Sequence, residues 1–178
     1  MRAISSHLKP LSAALCIALL LGACSSEGNE VGDKFSVCQE FDGPQIRDRS
    51  FNQNADAGLI RAERKLNIKA IRRNAENTDD YRSIVQGFLA RQCDLIITNG
   101  MRTEPEVRIA AKQDPSQNFS VLDATLRDDS EQATPTEKNV EEITFETDQA
   151  AFLAGYLAAG VTKTGIIGTY GGMQISPV

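Results

Sequence analysis

Histidine is nearly absent and tryptophan wholly so: the 178 residues contain one His, His7, and no Trp. His7 lies in an N-terminal segment that reads as a removable leader, so the mature chain would carry no imidazole. That excludes Ser-His-Asp and Cys-His nucleophilic catalysis and His-ligated zinc. Stacking on a ligand ring must come from the 7 Phe and 3 Tyr. Positive charge is also short: 19 Lys and Arg stand against 24 Asp and Glu, a formal charge of -5. Losing Arg2 and Lys9 with the leader makes the balance more negative still, which argues against a nucleic-acid backbone as partner. No apolar run approaches the roughly 20 residues needed to cross a bilayer as a helix.

What is present begins with a secretory layout. Arg2 and Lys9 precede the apolar run Leu11 to Leu21, followed by the small pair Gly22-Ala23. The sequence Leu21-Gly22-Ala23-Cys24, then Ser25-Ser26, resembles the bacterial lipobox, in which the cysteine takes lipid and becomes the first mature residue. An ordinary signal peptide with an incidental cysteine is the alternative. Residues 1–23 are thus expected to be a lipoprotein signal peptide, with Cys24 lipidated. Residues 24–33, rich in Ser, Gly and acids, form a flexible tether to the extracytoplasmic side of the cell membrane.

From residue 34 the pattern alternates between short apolar runs and helical stripes. Lys34 to Phe41 reads as strand one. Ser50 and Gln53 form a capping box ahead of Ala55, Leu59, Ala62 and Leu66, which recur on one helical face. Ile68 to Ile71 reads as strand two, and Asp79 or Asp80 caps a helix with the stripe Tyr81, Ile84, Val85, Phe88 and Leu89. Asp94 to Thr98 has the continuous apolarity of a strand buried on both faces. Thr103 and Glu106, with Pro105 in the first turn, predict the start of a further helix.

Phe119 to Leu122 and Val140 to Phe145 supply strands four and five, with the polar stretch Thr125 to Asn139 between them as a surface loop. A last helix spans Asp148 to Ala159 with Ala151, Phe152, Gly155, Tyr156 and Ala159 on one side, and Gly165 to Tyr170 begins another strand. Regular β-α-β alternation predicts an α/β fold: a Rossmann-like parallel sheet with flanking helices. Its ligand would sit beyond the carboxyl ends of the strands. There Asp42, Asn99-Gly100 and Asp123 fall, residues that also serve as plain turn formers. Phe51, at the first position of its helix and ahead of the apolar stripe, is placed to face the same crevice.

Several segments in order resemble the basic membrane protein family, lipid-anchored substrate-binding proteins of ABC importers that include purine-nucleoside binders. Asp48-Arg49-Ser50-Phe51-Asn52-Gln53 with Gly58-Leu59 is similar to that family's D-[KR]-S-F-N-Q…G-L segment. Asp94 to Gly100, Phe119 to Asp123, and Thr144-Phe145 through Phe152-Leu153-Ala154-Gly155-Tyr156-Leu157-Ala158-Ala159 resemble its later motifs, as does Gly165 to Met173. The sequence departs at Gly43-Pro44-Gln45, where x-G-G is usual, at Met101 in place of Phe, and at Gln149 in place of Glu.

The resemblance implies the first lobe (residues 34–145) of a two-lobed periplasmic-binding-protein fold of type I. Residues 146–178 would be the crossover and the start of a second, truncated lobe. It implies that a purine stacks on Phe51, that Asn52 hydrogen-bonds it, that Asp42 reads the base edge, and that Asp123 also faces the ligand. It further implies permease and ATPase subunits as partners, a monomer, no cofactor, no metal and no enzymatic activity. Alternatives within the same fold are a sugar or autoinducer ligand, or a sensor or adhesion lipoprotein; a nucleoside hydrolase using the aspartates is the enzymatic alternative.

Two cysteines outlast the leader and the lipid site. With strands one and three adjacent, Cys38 and Cys93 fall within reach of a disulfide in an oxidising compartment. Two buried free thiols are the other reading.

Overall fold

The computed structural model describes residues 34–126 and 137–171; the leader, Cys24, the tether and most of the polar stretch after strand four lie outside them. Five strands form one parallel sheet: β1 (Ser36–Phe41), β2 (Lys69–Asn74), β3 (Leu95–Asn99), β4 (Asn118–Leu122) and β5 (Val140–Ile143), in spatial order β2-β1-β3-β4-β5. Helices α1 (Phe51–Leu66), α2 (Asp80–Ala90) and α3 (Glu104–Gln113), the last preceded by a 3-10 turn over Met101–Thr103, connect the first four strands. A fourth helix, α4 (Thr147–Val161), follows β5.

The pleat divides the sheet between two helical layers. Cys38, Ile96, Phe119 and Val121 turn to α2 and α3 and form the core with Val85, Phe88, Val107, Ala110 and Ala111. Val37, Gln39, Leu95 and Ile97 turn the other way, toward α1, where with Ala55, Leu59, Ala62 and Ile143 they line an open apolar groove of about 440 Å³. Both edges of the sheet are charged, by Lys69, Arg72 and Arg73 on β2 and by Glu141 and Glu142 on β5, which discourages further strand pairing. Arg72 also ties its edge to α1 through Asp56 and Glu63, each at 2.6 Å.

Cys38 and Cys93 are joined in a disulfide with Cα atoms 6.0 Å apart. It links the middle of β1 to the residue pair that opens β3, inside the core.

Local capping differs from the sequence expectation. Ser50 occupies the N-cap of α1 but makes no side-chain cap bond. Asp48 does that work: its carboxylate accepts N–H groups from Ser50 (2.7 Å), Asn52 (3.0 Å) and Gln53 (3.1 Å), while Gln53 reaches back to the N–H of Arg49 at 3.2 Å. A carboxylate satisfies several orphan amides and meets the positive end of the helix dipole, which a hydroxyl cannot match. Thr103 likewise makes no cap bond; its hydroxyl donates to the carbonyl of Gly100 (3.2 Å), and Glu106 pairs with Arg82.

Two further expectations are corrected. Leu126, placed by sequence in the polar loop, is buried (1% exposed), and its N–H donates to the Glu142 carboxylate at 2.8 Å. Its apolar side chain completes the core beyond β4. Residues 165–170 form no strand: Ile166 is 78% and Tyr170 98% exposed, and no neighbouring strand among the described residues pairs with them. An isolated strand has no partner for its backbone groups, so apolar alternation alone does not hold it. Finally, α4 forms as expected but buries no face, leaving Phe152, Leu153, Tyr156 and Leu157 all exposed.

Candidate functional site

The carboxyl ends of β1, β3 and β4 bring Asp42, Gly100 and Asp123 to one end of the sheet, where α1 also begins. The backbone there is specialised: Gly43, Gly100 and Asp123 all have positive φ, of 86°, 81° and 58°. At Gly100 the left-handed backbone calls for glycine, and the Asp42 carboxylate packs beside it, 3.4 Å from where a Cβ would stand. Its N–H donates to the carbonyl of Leu122 at 2.7 Å, and that of Asp123 to Ile143 at 2.7 Å, so the turns are tied to one another across the strand ends.

Beneath the turns runs a chain of buried amides. Gln39 donates to the Asn99 side-chain carbonyl (3.0 Å), and Asn99 donates to that of Asn52 (3.2 Å). Asn52 in turn donates to the backbone carbonyls of Asp42 (2.6 Å) and Gln45 (3.2 Å). All three side chains are buried. Asn52 therefore spends both amide donors and its carbonyl within the protein, clamping the β1–α1 turn onto the end of β3. The Pro44 carbonyl accepts from Asn74 at 3.1 Å and fixes the other side of the same turn.

Glu40 supports this arrangement from the opposite face of β1. It is fully buried, and one carboxyl oxygen accepts the N–H of Asn99 at 3.1 Å. Among the described residues the other oxygen has no partner, and neither has the hydroxyl of Thr98. Burial pushes the carboxyl up to about 8 against the lowering by the Asn99 N–H, with the negative Asp42 nearby raising it further. Glu40 is thus held largely as the neutral acid at pH 7.

Asp42 is partly exposed, its side chain 28% accessible. One of its oxygens, Oδ1, accepts a short hydrogen bond from the Tyr81 hydroxyl and an ion pair from Arg102 Nη1 at 3.2 Å. Burial and the Asp42 bond push the Tyr81 phenol up to about 12, so it acts as a donor throughout the physiological range. The hydrogen bond of Tyr81 and the charge of Asp42 raise Arg102 further above its already basic value. Asp123 is half-buried; desolvation raises its carboxyl, which makes no side-chain hydrogen bond among the described residues. Phe51 is half-buried in the first turn of α1, next to Asn52.

All four residues singled out by sequence therefore sit on the turns and the helix start at one end of the sheet, with Asn52 turned to the protein's own backbone. Sequence reasoning missed Tyr81, Arg102, Gln39 and Glu40. Tyr81 reads in the sequence as part of an apolar stripe, but its hydroxyl needs a polar partner when buried and finds it in Asp42.

Residues 36–178 match the family model described as ABC transporter substrate-binding protein PnrA-like. The chain belongs to this family. Basic membrane protein A of Borreliella burgdorferi is 30% identical over 152 residues, covering 85% of this chain and 43% of that protein. The ABC transporter nucleoside-binding protein BmpA of Lactococcus lactis is 30% identical over 166 residues, covering 89% and 45%. The chain thus spans less than half the length of these relatives. Among solved structures, an ABC transporter solute-binding protein from Aeropyrum pernix K1 shares 25% identity with a TM-score of 0.62, over 70% of this chain and 32% of that one. The PnrA-like family is a substrate-binding class rather than an enzyme class. Among the described residues no cluster of three or more His, Cys, Asp or Glu could hold a metal ion, and no helix is long and apolar enough to cross a membrane.

Proposed function

We propose that this chain is the first ligand-binding lobe of a lipid-anchored solute-binding protein of an ABC importer, capturing a purine nucleoside for a permease and its ATPase. The observation that carries the reading is the juxtaposition of Phe51 with two aspartates of different character at the strand ends. Asp42 is charge-paired and hydrogen-bonded, whereas Asp123 has no such partner among the described residues. An aromatic face stacks on a base for about 1–3 kcal/mol. Carboxylates accepting base or ribose donors supply direction. Asn52 contributes by holding the turn that presents Asp42. The nucleoside-binding description of the Lactococcus relative agrees with this ligand class.

The same reading places residues 34–145 in the first lobe and 146–178 at the crossover into a second one. Cys24 is the lipid attachment site on the extracytoplasmic face of the membrane. Lipid attachment is tested by fractionation: Cys24→Ser moves the protein out of the membrane fraction.

The ligand is tested by calorimetric titration with inosine, guanosine, adenosine and free ribose. The nucleosides bind and ribose alone does not, and Phe51→Ala weakens nucleoside binding about 10- to 100-fold. Ribose binding as well as inosine, with Phe51→Ala without effect, would replace the nucleoside by a sugar.

A further inference from the structure

We propose that Arg102 sets the base preference of the crevice, pairing with Asp42 to form an adjacent donor and acceptor that favour 6-oxopurines, guanine and hypoxanthine, over adenine. The inference rests on the nucleoside reading above and assigns its specificity.

Asp42 has one oxygen already engaged by Tyr81 and Arg102. Its other oxygen, Oδ2, lies on the Gly100 side and accepts no side-chain hydrogen bond among the described residues. One acceptor is therefore left for a ligand. Arg102 is half-exposed (50% for the side chain) and commits one nitrogen, Nη1, to the ion pair. A guanidinium carries five N–H donors in a fixed fork, so the same side chain can hold Asp42 and present donors beside it. The pair bridges the end of β1 and the turn after β3, within the set of residues clamped by the Asn99 and Asn52 amides.

The ligand chemistry follows from the order of polar atoms along a purine. A 6-oxopurine shows N7 and O6 as adjacent acceptors, then N1–H as a donor. Arg is the common partner of the N7/O6 pair, and the free oxygen of Asp42 takes N1–H. Adenine places an amino donor next to N7 and a lone pair at N1. In the same pose it turns a donor toward the guanidinium and an acceptor toward the carboxylate. Turning adenine over satisfies one bond to each group and loses the third.

The test is equilibrium titration of the full chain with inosine, guanosine and adenosine, in the native protein and in Arg102→Met and Arg102→Lys, with circular dichroism to check that each is folded. The native protein is expected to prefer inosine and guanosine to adenosine by at least tenfold. Arg102→Met brings the three within about threefold, chiefly by weakening the 6-oxopurines, and Arg102→Lys restores part of the preference. Binding of all three with equal affinity by the native protein overturns the proposal, as does an unchanged preference in Arg102→Met. Failure of every nucleoside to bind overturns the nucleoside reading and this proposal with it, a result distinct from binding without preference.

Discussion

Glu40 is a buried acid whose protonation is linked to folding. A carboxyl held at about 8 in the folded protein, against 4.5 ordinarily, keeps its proton where the unfolded chain has lost it. Between these values the native state binds more protons than the unfolded one, so its contribution to stability is full below about pH 4.5 and falls as pH rises toward 8. Glu40→Gln keeps an acceptor for the Asn99 N–H and removes the titration. Denaturant melts of the two proteins from pH 5 to pH 8 should diverge, the native protein losing on the order of a few kcal/mol relative to the variant. Parallel curves would show that Glu40 is not buried as an acid. The positions of Asp42 and Asp123 after strands, and of Phe51 at a helix start, were legible in the sequence because the ends of elements are set by local pattern. Tyr81, Arg102 and Glu40 were not, because their meaning depends on strand order: Tyr81 and Arg102 meet Asp42 across 39 and 60 residues of sequence.

Each element from β1 to β4 was visible in the periodicity, yet the devices that hold the element ends were not. The first turn of α1 depends on Asp48, two residues ahead of the N-cap, since its carboxylate gathers three amides. Burial would raise this carboxyl, but the N–H groups of Ser50, Gln53 and Asn52 together bring it below its ordinary value. Asp48→Ala should therefore lower the thermal midpoint clearly more than Ser50→Ala, and the reverse order would restore the capping box read from sequence. The Cys38–Cys93 bridge acts between elements, closing a separation of 55 residues across β1 and β3. On the chain-entropy model its loss costs about 4 kcal/mol. Replacing both cysteines by alanine, followed by urea melts, should show a loss of that order; denatured, unreduced protein should show no free thiol from this pair.

For the whole molecule, the described chain divides into a packed part and an unpacked one. The core between the sheet and α2/α3 is closed, whereas α4 and the α1-side groove leave apolar surface open. Val85→Ala, in the closed core, should cost about 2 kcal/mol. Phe152→Ser together with Leu157→Ser should leave the unfolding midpoint of this chain unchanged, because α4 buries nothing in it. The failed strand at 165–170 belongs to the same scale. Its apolar pattern was legible, but a strand exists only with a neighbour, and the residues that would neighbour it are not among those described. The chain spans less than half the length of the relatives it matches.

In the proposed function, a purine nucleoside enters at the carboxyl ends of β1, β3 and β4. Titrating inosine into isotopically labelled protein and following backbone amide shifts tests it most directly. The expected changes are concentrated at Asp42, Phe51, Gly100, Arg102 and Asp123, with Leu59 and Ile143 in the apolar groove unmoved. Shifts centred on the groove, or none at saturating inosine, would contradict it.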